Sequence, residues 1–316
     1  MGEGTMKLEG IHHITAITGD AQSNVDFYAG RMALRMVKKT VNQDEPSVYH
    51  LFYADEDGSP GADLTFFKFR GVPPGRAGAG MVHTIVWRVG SDEALGFWER
   101  RLAEAGTETG RSGSGLRFSD PEGLAHELRV VATPDPPLIA DHPEVPAEAA
   151  LQGFHAARAY SAEPERSEGI LVEALGFEPG DDGWEARGSE RGGLWSYDPP
   201  PGERALQGAG TVHHIAWAST MDDHEAWRTR VVGAGGRPTP VIDRFWFRSI
   251  YFREPSGVLF EIATIGPGFA VDEDPGHLGE ELILPPFLED RRAEIEAGLV
   301  PISNPRQAPT EELAGG

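Results

Sequence analysis

The 316-residue sequence predicts an α+β fold of four βαβββ modules that form two curved mixed sheets. Three observations carry this prediction. A short apolar strand with a histidine in or beside it occurs four times, a helical stretch follows each occurrence, and strand-like runs follow each helix. Each unit is about 55 residues long, and internal repetition of this kind is the primary guide to architecture.

The first two elements of each module follow from local sequence signals. The opening strands are Ile11 to Ile17, Met81 to Val89, Gly153 to Tyr160 and Thr211 to Ala218. The helical stretches open on polar or acidic residues, which cap a first turn, and close on glycine, which accepts the left-handed conformation at a helix end. They run approximately from Asp20 to Gly30, Ser91 to Gly106, Glu163 to Gly176 and Asp222 to Gly235.

Two strand-like runs are visible after each helix: Val48 to Tyr53, Leu64 to Phe69, Leu116 to Ser119, His126 to Val131, Trp184 to Arg187, Gly193 to Tyr197, Phe247 to Phe252 and Val258 to Ala263. A proline-rich stretch from Thr133 to Pro146 is typical of a linker. The predicted organisation is therefore a pair of modules over 8–132, a linker over 133–150, a second pair over 151–265 and a C-terminal extension over 266–316.

Composition excludes several classes of protein. The chain has no cysteine, so disulfides and thiolate metal ligands are ruled out. Its net charge of −22 repels nucleic acid and anionic membranes. No apolar run approaches the ~20 residues of a membrane span, and Met1 to Lys7 lacks a signal-peptide pattern. We expect a cytoplasmic protein with a small-molecule partner, and the surface charge is compatible with a homo-oligomer.

The dipeptide His-His occurs in the first and fourth opening strands, as His12-His13 and His213-His214. Neighbouring side chains of a strand point to opposite faces, so only one histidine of each pair can enter a shared cavity. The companions of His214 on its face are small alanines that leave space, whereas His213 shares its face with bulky residues. This favours His214 and, by analogy, His13 as cavity residues.

Glu261 is a lone carboxylate between Phe260 and Ile262 in the last strand of the fourth module. A buried carboxylate must be paired or metal-bound, although glutamate on a strand is more often solvated. Together with His13 and His214 it gives two imidazoles and one carboxylate, the ligand set of a mononuclear non-haem iron(II) site. Mn(II) fits the same ligands.

The second and third modules lack this ligand set. Thr84 and Ala156 stand where the metal-facing histidines would be, and only Glu127 occupies a ligand position. One carboxylate does not hold Fe(II), so we expect a vestigial site there. Structural roles are expected for three further histidines: His83, His126 and His155.

The repeat over residues 8 to 265 resembles the vicinal oxygen chelate superfamily, which includes glyoxalase I, extradiol dioxygenases and bleomycin-resistance proteins. A narrower resemblance, to ring-cleaving dioxygenases that act on hydroquinones, is carried by several segments over nearly the whole chain. They are Ile11 to Ile17, Asp26 to Tyr28, Leu34 to Asn42, Asp57 to Gly61 and Gly279 to Ala297.

The resemblance implies an Fe(II) enzyme that uses O2 to open a para-diol ring beside a hydroxyl-bearing carbon. In the superfamily the second histidine of each pair binds metal, which again selects His13 and His214 with Glu261. Four more residues are implied to act in catalysis: His12, His213, Arg244 and Tyr251. His213 would move a proton because its pKa is near neutral, Tyr251 would hydrogen-bond a substrate oxygen, and Arg244 would pair with a developing anion.

Three alternatives stay open at this point. A glyoxalase-type lyase or isomerase would need a second glutamate in the last strand of the first module, where Phe66 or Phe67 is expected to occupy the ligand position. A catechol extradiol dioxygenase would share the triad. A non-catalytic binder of aromatic drugs would not need it. Aromatic walls expected from Phe67, Trp246 and Phe247 suit a flat ring.

Overall fold

The structure is a computed structural model that describes residues 6–113 and 115–306. Its first sheet has the order β14-β15-β16-β13-β1-β4-β3-β2. These strands are Ile11–Thr18 (β1), Arg35–Val41 (β2), Tyr49–Ala54 (β3), Asp63–Lys68 (β4), Thr211–Ser219 (β13), Ile242–Asp243 (β14), Arg248–Arg253 (β15) and Leu259–Thr264 (β16).

The second sheet has the order β10-β11-β12-β9-β5-β8-β7-β6. Its strands are Val82–Val89 (β5), Thr109–Ser112 (β6), Gly115–Ser119 (β7), Ala125–Val130 (β8), Phe154–Tyr160 (β9), Glu178–Gly180 (β10), Gly183–Arg187 (β11) and Gly192–Asp198 (β12). The α+β class and the two mixed sheets predicted from sequence are confirmed.

Each sheet combines two modules, which are consecutive in one sheet and not in the other. β1 pairs with β13 in antiparallel orientation, so the first and fourth modules share a sheet. β5 pairs with β9, so the second and third modules share the other. Within a module the opening strand lies parallel to the last strand, as β1 lies beside β4 and β13 beside β16. This arrangement places both His-His pairs side by side at the centre of one sheet.

One strand of each predicted βαβββ module was not located in the sequence, namely the strand directly after the helix: β2, β6, β10 and β14. These strands lie at or next to the edges of the sheets. Three of them have two to four residues, and β2 carries two lysines, so none shows the apolar alternation of a central strand.

The helices are Ala21–Val25 (α1), Asp92–Glu104 (α2), His224–Gly233 (α3) and Arg292–Gly298 (α4). The predicted caps form at Asp20 and Ser91, whose side chains accept backbone N–H bonds. The predicted end of the first helix at Gly30 is wrong. A wide π-helical turn continues to Arg31, and Ala33 takes the left-handed conformation with φ of 58°. In the third module a 3₁₀ turn and a π-helical turn, Pro164–Ser167 and Gly169–Ala174, replace the predicted helix.

The C-terminal extension folds back onto the first sheet. Leu282 forms a parallel bridge with Lys39, and Phe269 packs edge-on against Phe52 at 5.1 Å between ring centroids. Residues 307–316 of the extension lie outside the described residues. So do residues 1–5, which belong to the segment considered for a signal peptide. In the described part of the chain, no helix has the length and apolar character needed to cross a bilayer.

Candidate active site

The pairing of β1 with β13 brings His13 and His214 together in the middle of the first sheet. Their Nε2 atoms lie 3.3 Å apart. Glu261, on the neighbouring strand β16, places Oε2 3.2 Å from His13 Nε2 and 3.0 Å from His214 Nε2. All three side chains are buried. The structure therefore assembles the three residues that the sequence analysis selected as metal ligands.

Hydrogen bonds behind this cluster determine which ring nitrogens carry protons. His12 Nε2 lies 3.1 Å from the carbonyl oxygen of Thr264, which only accepts, so His12 donates from Nε2. A neutral His12 then accepts at Nδ1 from His13 Nδ1, 2.9 Å away. This leaves a lone pair on His13 Nε2, the atom that faces Glu261. The rings of His213 and His214 form the same Nδ1-to-Nδ1 contact, with 2.8 Å between the two atoms.

The donor set fits a divalent cation. Neither carboxylate oxygen of Glu261 has a hydrogen-bond partner among the described residues, although both are buried. Two imidazole lone pairs and a carboxylate therefore converge with no donor between them, which is unfavourable unless a cation is bound. Ligand bonds of about 2.1 Å separate adjacent ligand atoms by about 3.0 Å in an octahedron and 3.4 Å in a tetrahedron. The observed spacings lie in this range.

The charge states agree with this donor set. Burial raises the pKa of Glu261, whereas positive charge beside the carboxylate, carried by protonated His13 and His214 or by a cation bound in place of their protons, lowers it well below its ordinary value. Burial lowers the pKa of His12 to about 3 and also lowers the pKa of His214. An ionised carboxylate with neutral imidazoles is the form that binds metal.

The near-neutral pKa expected for His213 is wrong. Burial lowers the pKa of His213 to about 3, and the neighbouring His214 and Arg253 act in the same direction. Its resting form is therefore the neutral imidazole. A lone pair on His214 Nε2 places the proton of His214 on Nδ1, from which it donates to His213 Nδ1. A neutral His213 then carries its own proton on Nε2, which has no hydrogen-bond partner among the described residues and can donate to a bound molecule.

A cavity opens in front of His13 and His214. Five aromatic side chains form much of its wall: Phe52, Phe67, Trp246, Phe247 and Tyr251. The expected positions of Phe67, Trp246 and Phe247 are thus confirmed. A wall of flat apolar groups suits an aromatic ring.

The C-terminal extension holds one wall of this cavity. Trp246 Nε1 donates to Asp272 at 3.0 Å, and the buried ammonium of Lys38 lies 5.0 Å from the Trp246 ring centroid. Lys38 also contacts Asp272 at 2.8 Å and pairs with Glu273. The extension thereby fixes an aromatic wall from behind.

Tyr251 and Arg244 lie beside the triad. Tyr251 is directly opposite Glu261 in the β15–β16 register, and its ring meets His214 edge-on at 5.7 Å. Burial raises the pKa of Tyr251 above its ordinary value, so the phenol stays protonated. The Arg244 guanidinium lies 5.7 Å from the Tyr251 ring centroid and donates to the exposed carboxylate of Asp44 at 2.9 Å.

The position expected for a second glutamate was misassigned to Phe66 or Phe67. Glu261 pairs with Ala216, and the equivalent pair in the first module is Thr15 with Thr65. Thr65 therefore occupies the ligand position, while Phe66 is buried in the core. A one-residue shift in a strand exchanges its two faces, which explains the error. A hydroxyl replaces the carboxylate at that position.

The second sheet shows why its half of the repeat has no equivalent centre. Glu127 is engaged by three arginines at 2.5 to 3.7 Å: Arg117, Arg129 and Arg158. His83 pairs with Asp198 at 2.9 Å, and His126 contacts the hydroxyl of Tyr28 at 3.0 Å. A carboxylate satisfied by guanidinium groups needs no metal ion.

Two polar residues of the first sheet, the half-buried His50 and the buried Asp63, were not identified from the sequence. His50 on β3 lines the cavity, and its position on the same face as Phe52 would have been the signal. Asp63 lies opposite His13 and has no hydrogen-bond partner among the described residues. Burial raises the pKa of Asp63 well above its ordinary value, which makes this carboxyl a weaker ligand than Glu261.

Comparisons with known proteins agree with this geometry. The sequence profile of the Glyoxalase/Bleomycin resistance protein/Dioxygenase superfamily matches residues 10–128 and 153–262. MhqA of Bacillus subtilis, described as a candidate ring-cleaving dioxygenase, is 40% identical over 94% of this chain and 100% of its own. The chlorohydroquinone/hydroquinone 1,2-dioxygenase of Sphingobium indicum is 35% identical over 92% of this chain and 95% of its own.

A solved structure shows the same fold. The crystal structure of a candidate dioxygenase from Bacillus subtilis superposes with a TM-score of 0.89 at 39% identity, covering 96% of this chain and 100% of that one. The similarity therefore extends over both sheets and the site between the first and fourth modules.

Proposed function

Since the chain belongs to the glyoxalase, bleomycin resistance protein and dioxygenase superfamily, we propose that it is an Fe(II)-dependent ring-cleaving dioxygenase. Its substrate would be a hydroquinone-type para-diol, opened with O2 beside a hydroxyl-bearing carbon, as in extradiol cleavage. The name of the Sphingobium indicum relative supports this substrate class. We also propose that the protein is cytoplasmic, as expected from the sequence.

The observation that carries the proposal is the convergence of His13 Nε2, His214 Nε2 and Glu261 Oε2 on one buried point at the floor of an aromatic cavity. Two imidazoles and one carboxylate on one side leave positions for substrate and O2, which is the arrangement of non-haem iron(II) oxygenases. The metal would supply the activation of O2, and Mn(II) is the alternative ion for the same ligands.

The chain's own residues would position the ring and manage its protons. Phe67 and Phe247 would hold the ring between aromatic faces. His213, neutral and accepting from His214 at Nδ1, would donate a hydrogen bond from Nε2 to an oxygen of the bound substrate. The protonated phenol of Tyr251 would donate to a substrate oxygen as negative charge develops on it.

Arg244 would stabilise negative charge indirectly. Burial opposes ionisation of its guanidinium, but the hydrogen bond from Arg244 to Asp44 outweighs it and raises the Arg244 pKa. The permanent positive charge, close to the Tyr251 ring, favours the phenol as a hydrogen-bond donor to an anion.

The alternatives differ at specific residues. A glyoxalase-type reaction with a second glutamate is disfavoured because Thr65 occupies the fourth position. A catechol dioxygenase would share the triad, and its substrate would place both hydroxyls at the metal. We also propose that the protein binds neither nucleic acid nor membranes.

The test combines metal analysis with O2 uptake. Purified protein is reconstituted anaerobically with Fe(II), Mn(II) or Zn(II), and O2 consumption is followed with methylhydroquinone and with catechol. We expect O2 uptake with Fe(II) and a clear preference for methylhydroquinone. Turnover with Zn(II) and no O2 uptake would rule out the dioxygenase, and a preference for catechol would reassign its substrate.

A further inference from the structure

His50 lies in the wall of the substrate cavity on strand β3, away from the metal-binding strands β1, β13 and β16. Its ring is held between Phe52 at 4.0 Å and Phe67 at 4.4 Å between centroids. It is the one imidazole of the cavity wall, among the described residues, that does not belong to a His-His pair. A polar group fixed among aromatic side chains is suited to orienting a bound ring.

The hydrogen bonds around His50 define which of its nitrogens carries a lone pair. Thr65 Oγ1 donates its single proton to Thr15 Oγ1 at 2.8 Å. Thr65 Oγ1 must therefore accept from His50 Nε2, 2.9 Å away. Burial and the neighbouring His13 lower the pKa of His50 well below its ordinary value, so the ring is neutral. His50 Nδ1 is then an acceptor, and it has no partner among the described residues.

The separation between His50 and His214 has an upper limit that can be compared with the length of a para-diol. Phe67 lies 4.4 Å from the His50 ring and 6.4 Å from the His214 ring, so those two imidazoles are at most about 11 Å apart. The oxygens of a para-diol are about 5.5 Å apart, and a hydrogen bond adds about 2.8 Å. A para-diol with one oxygen at the triad is therefore long enough for its other hydroxyl to reach His50.

We infer that His50 Nδ1 accepts the hydrogen bond of the substrate hydroxyl farthest from the metal and so selects para-diols over rings without that donor. This inference rests on the proposed function, since it deepens the description of the same site. An ortho-diol directs both hydroxyls towards the metal and leaves Nδ1 unpaired. A site built to pair a hydroxyl discriminates against analogues that lack it, because a buried polar group is then left unsatisfied.

The test measures anaerobic dissociation constants of hydroquinone and 4-fluorophenol by calorimetry with the Fe(II)-reconstituted protein. Fluorine replaces the far hydroxyl at similar size but cannot donate a proton. The wild type should bind hydroquinone about tenfold more tightly than 4-fluorophenol. His50→Gln can still reach Thr65 but has no acceptor at the Nδ1 position, so this ratio should fall to about two.

His50→Asn is the matched control, because its amide oxygen can occupy the position of Nδ1. It should retain most of the preference for hydroquinone, whereas a purely structural role would weaken both ligands equally in both variants. An unchanged ratio in His50→Gln would overturn the inference. Ring cleavage by the wild type is measured separately. If the wild type does not cleave the ring, but His50→Gln still lowers the preference for hydroquinone over 4-fluorophenol, the proposed function is contradicted and the inference stands.

Discussion

His12 Nδ1 lies 2.9 Å from His13 Nδ1, and this contact connects the metal-facing imidazole to the carbonyl oxygen of Thr264. The carbonyl can only accept, so the chain of two imidazoles has one direction of proton donation. The first residue of the His-His dipeptide therefore sets the tautomer of the second. The fold delivers His13 Nε2 to the cavity as a lone pair before any ion binds.

Replacing His12 by phenylalanine should weaken metal binding by 10- to 100-fold, because His13 loses the acceptor that fixes its tautomer and ring orientation. The measurement is competition for Zn(II) or Fe(II) with a chromophoric chelator. His155→Phe is the matched control, since His155 occupies the equivalent position in the second sheet. Equal loss in both variants would show that His12 contributes only to folding.

Metal binding should stabilise the wild-type protein. At a metal concentration a hundredfold above Kd, the expected gain is about 2.7 kcal/mol in the free energy of unfolding. Glu261→Gln should remove this response because the anionic ligand is lost. Glu127→Gln, at the equivalent position in the second sheet, should keep it. Thermal unfolding with and without added Fe(II) or Mn(II) measures both, and a response retained by Glu261→Gln would be evidence against the triad.

Tyr251→Phe should lower kcat by about 10²-fold, because a donor to the developing charge on a substrate oxygen is removed. Metal affinity should stay within about twofold, since Tyr251 is across from Glu261 in the register but contributes no ligand atom. Steady-state O2 uptake and chelator competition give the two quantities. A drop in metal affinity equal to the drop in kcat would mean that Tyr251 supports the site structurally.

Thr65→Glu should convert the three-ligand site into a four-ligand site, since Thr65 is the counterpart of Glu261 in the first module. We expect tighter Zn(II) binding and a loss of O2 uptake of at least tenfold, because a position needed by substrate or O2 is filled. Thr65→Val removes the same hydroxyl without adding a ligand and serves as the control. Full oxygenase activity in Thr65→Glu would contradict the assignment of this position.

Stability should fall as pH is lowered below about 6.5. Trp87 Nε1 donates to His126 Nδ1 at 3.1 Å, and burial lowers the pKa of His126 from 6.5 to about 3. Between these values the unfolded chain binds more protons, so acid favours unfolding. Burial raises the pKa of Asp120 to about 6, which gives a smaller contribution of opposite sign.

His126→Asn should reduce this pH dependence, because the amide oxygen of asparagine can occupy the position of His126 Nδ1 and accept from Trp87 but does not titrate. Urea unfolding at pH 7 and pH 4 should show that the wild type loses on the order of 2 kcal/mol more than the variant. Parallel curves for the two proteins would exclude His126 as a source of acid sensitivity.

Much of the architecture could be predicted because the signals are local and repeated. Strand alternation separated His13 from His12, and the cap residues Asp20 and Ser91 marked two helix starts. The assignment of the fourth ligand position failed because it depends on the register between β1 and β4, where one residue exchanges the faces. No local pattern reports a register between distant strands.

The role of His50 also depends on contacts between strands that are distant in the sequence. Within β3 it is one polar residue between Tyr49 and Leu51, which is equally typical of a half-buried strand in any sheet. Its lone pair becomes significant only through Thr65 and Thr15, which come from two other strands. The pKa of His213 was likewise misjudged because burial is a property of the assembled sheet.

The most direct test of the central claim is the stoichiometry of O2 consumption during single-batch conversion of methylhydroquinone by the Fe(II)-reconstituted protein, with the product identified by mass spectrometry. We predict one O2 consumed per ring and a ring-opened acid that contains the added oxygen. Accumulation of the corresponding quinone, which would mean simple oxidation without cleavage, or conversion without O2 would contradict the account.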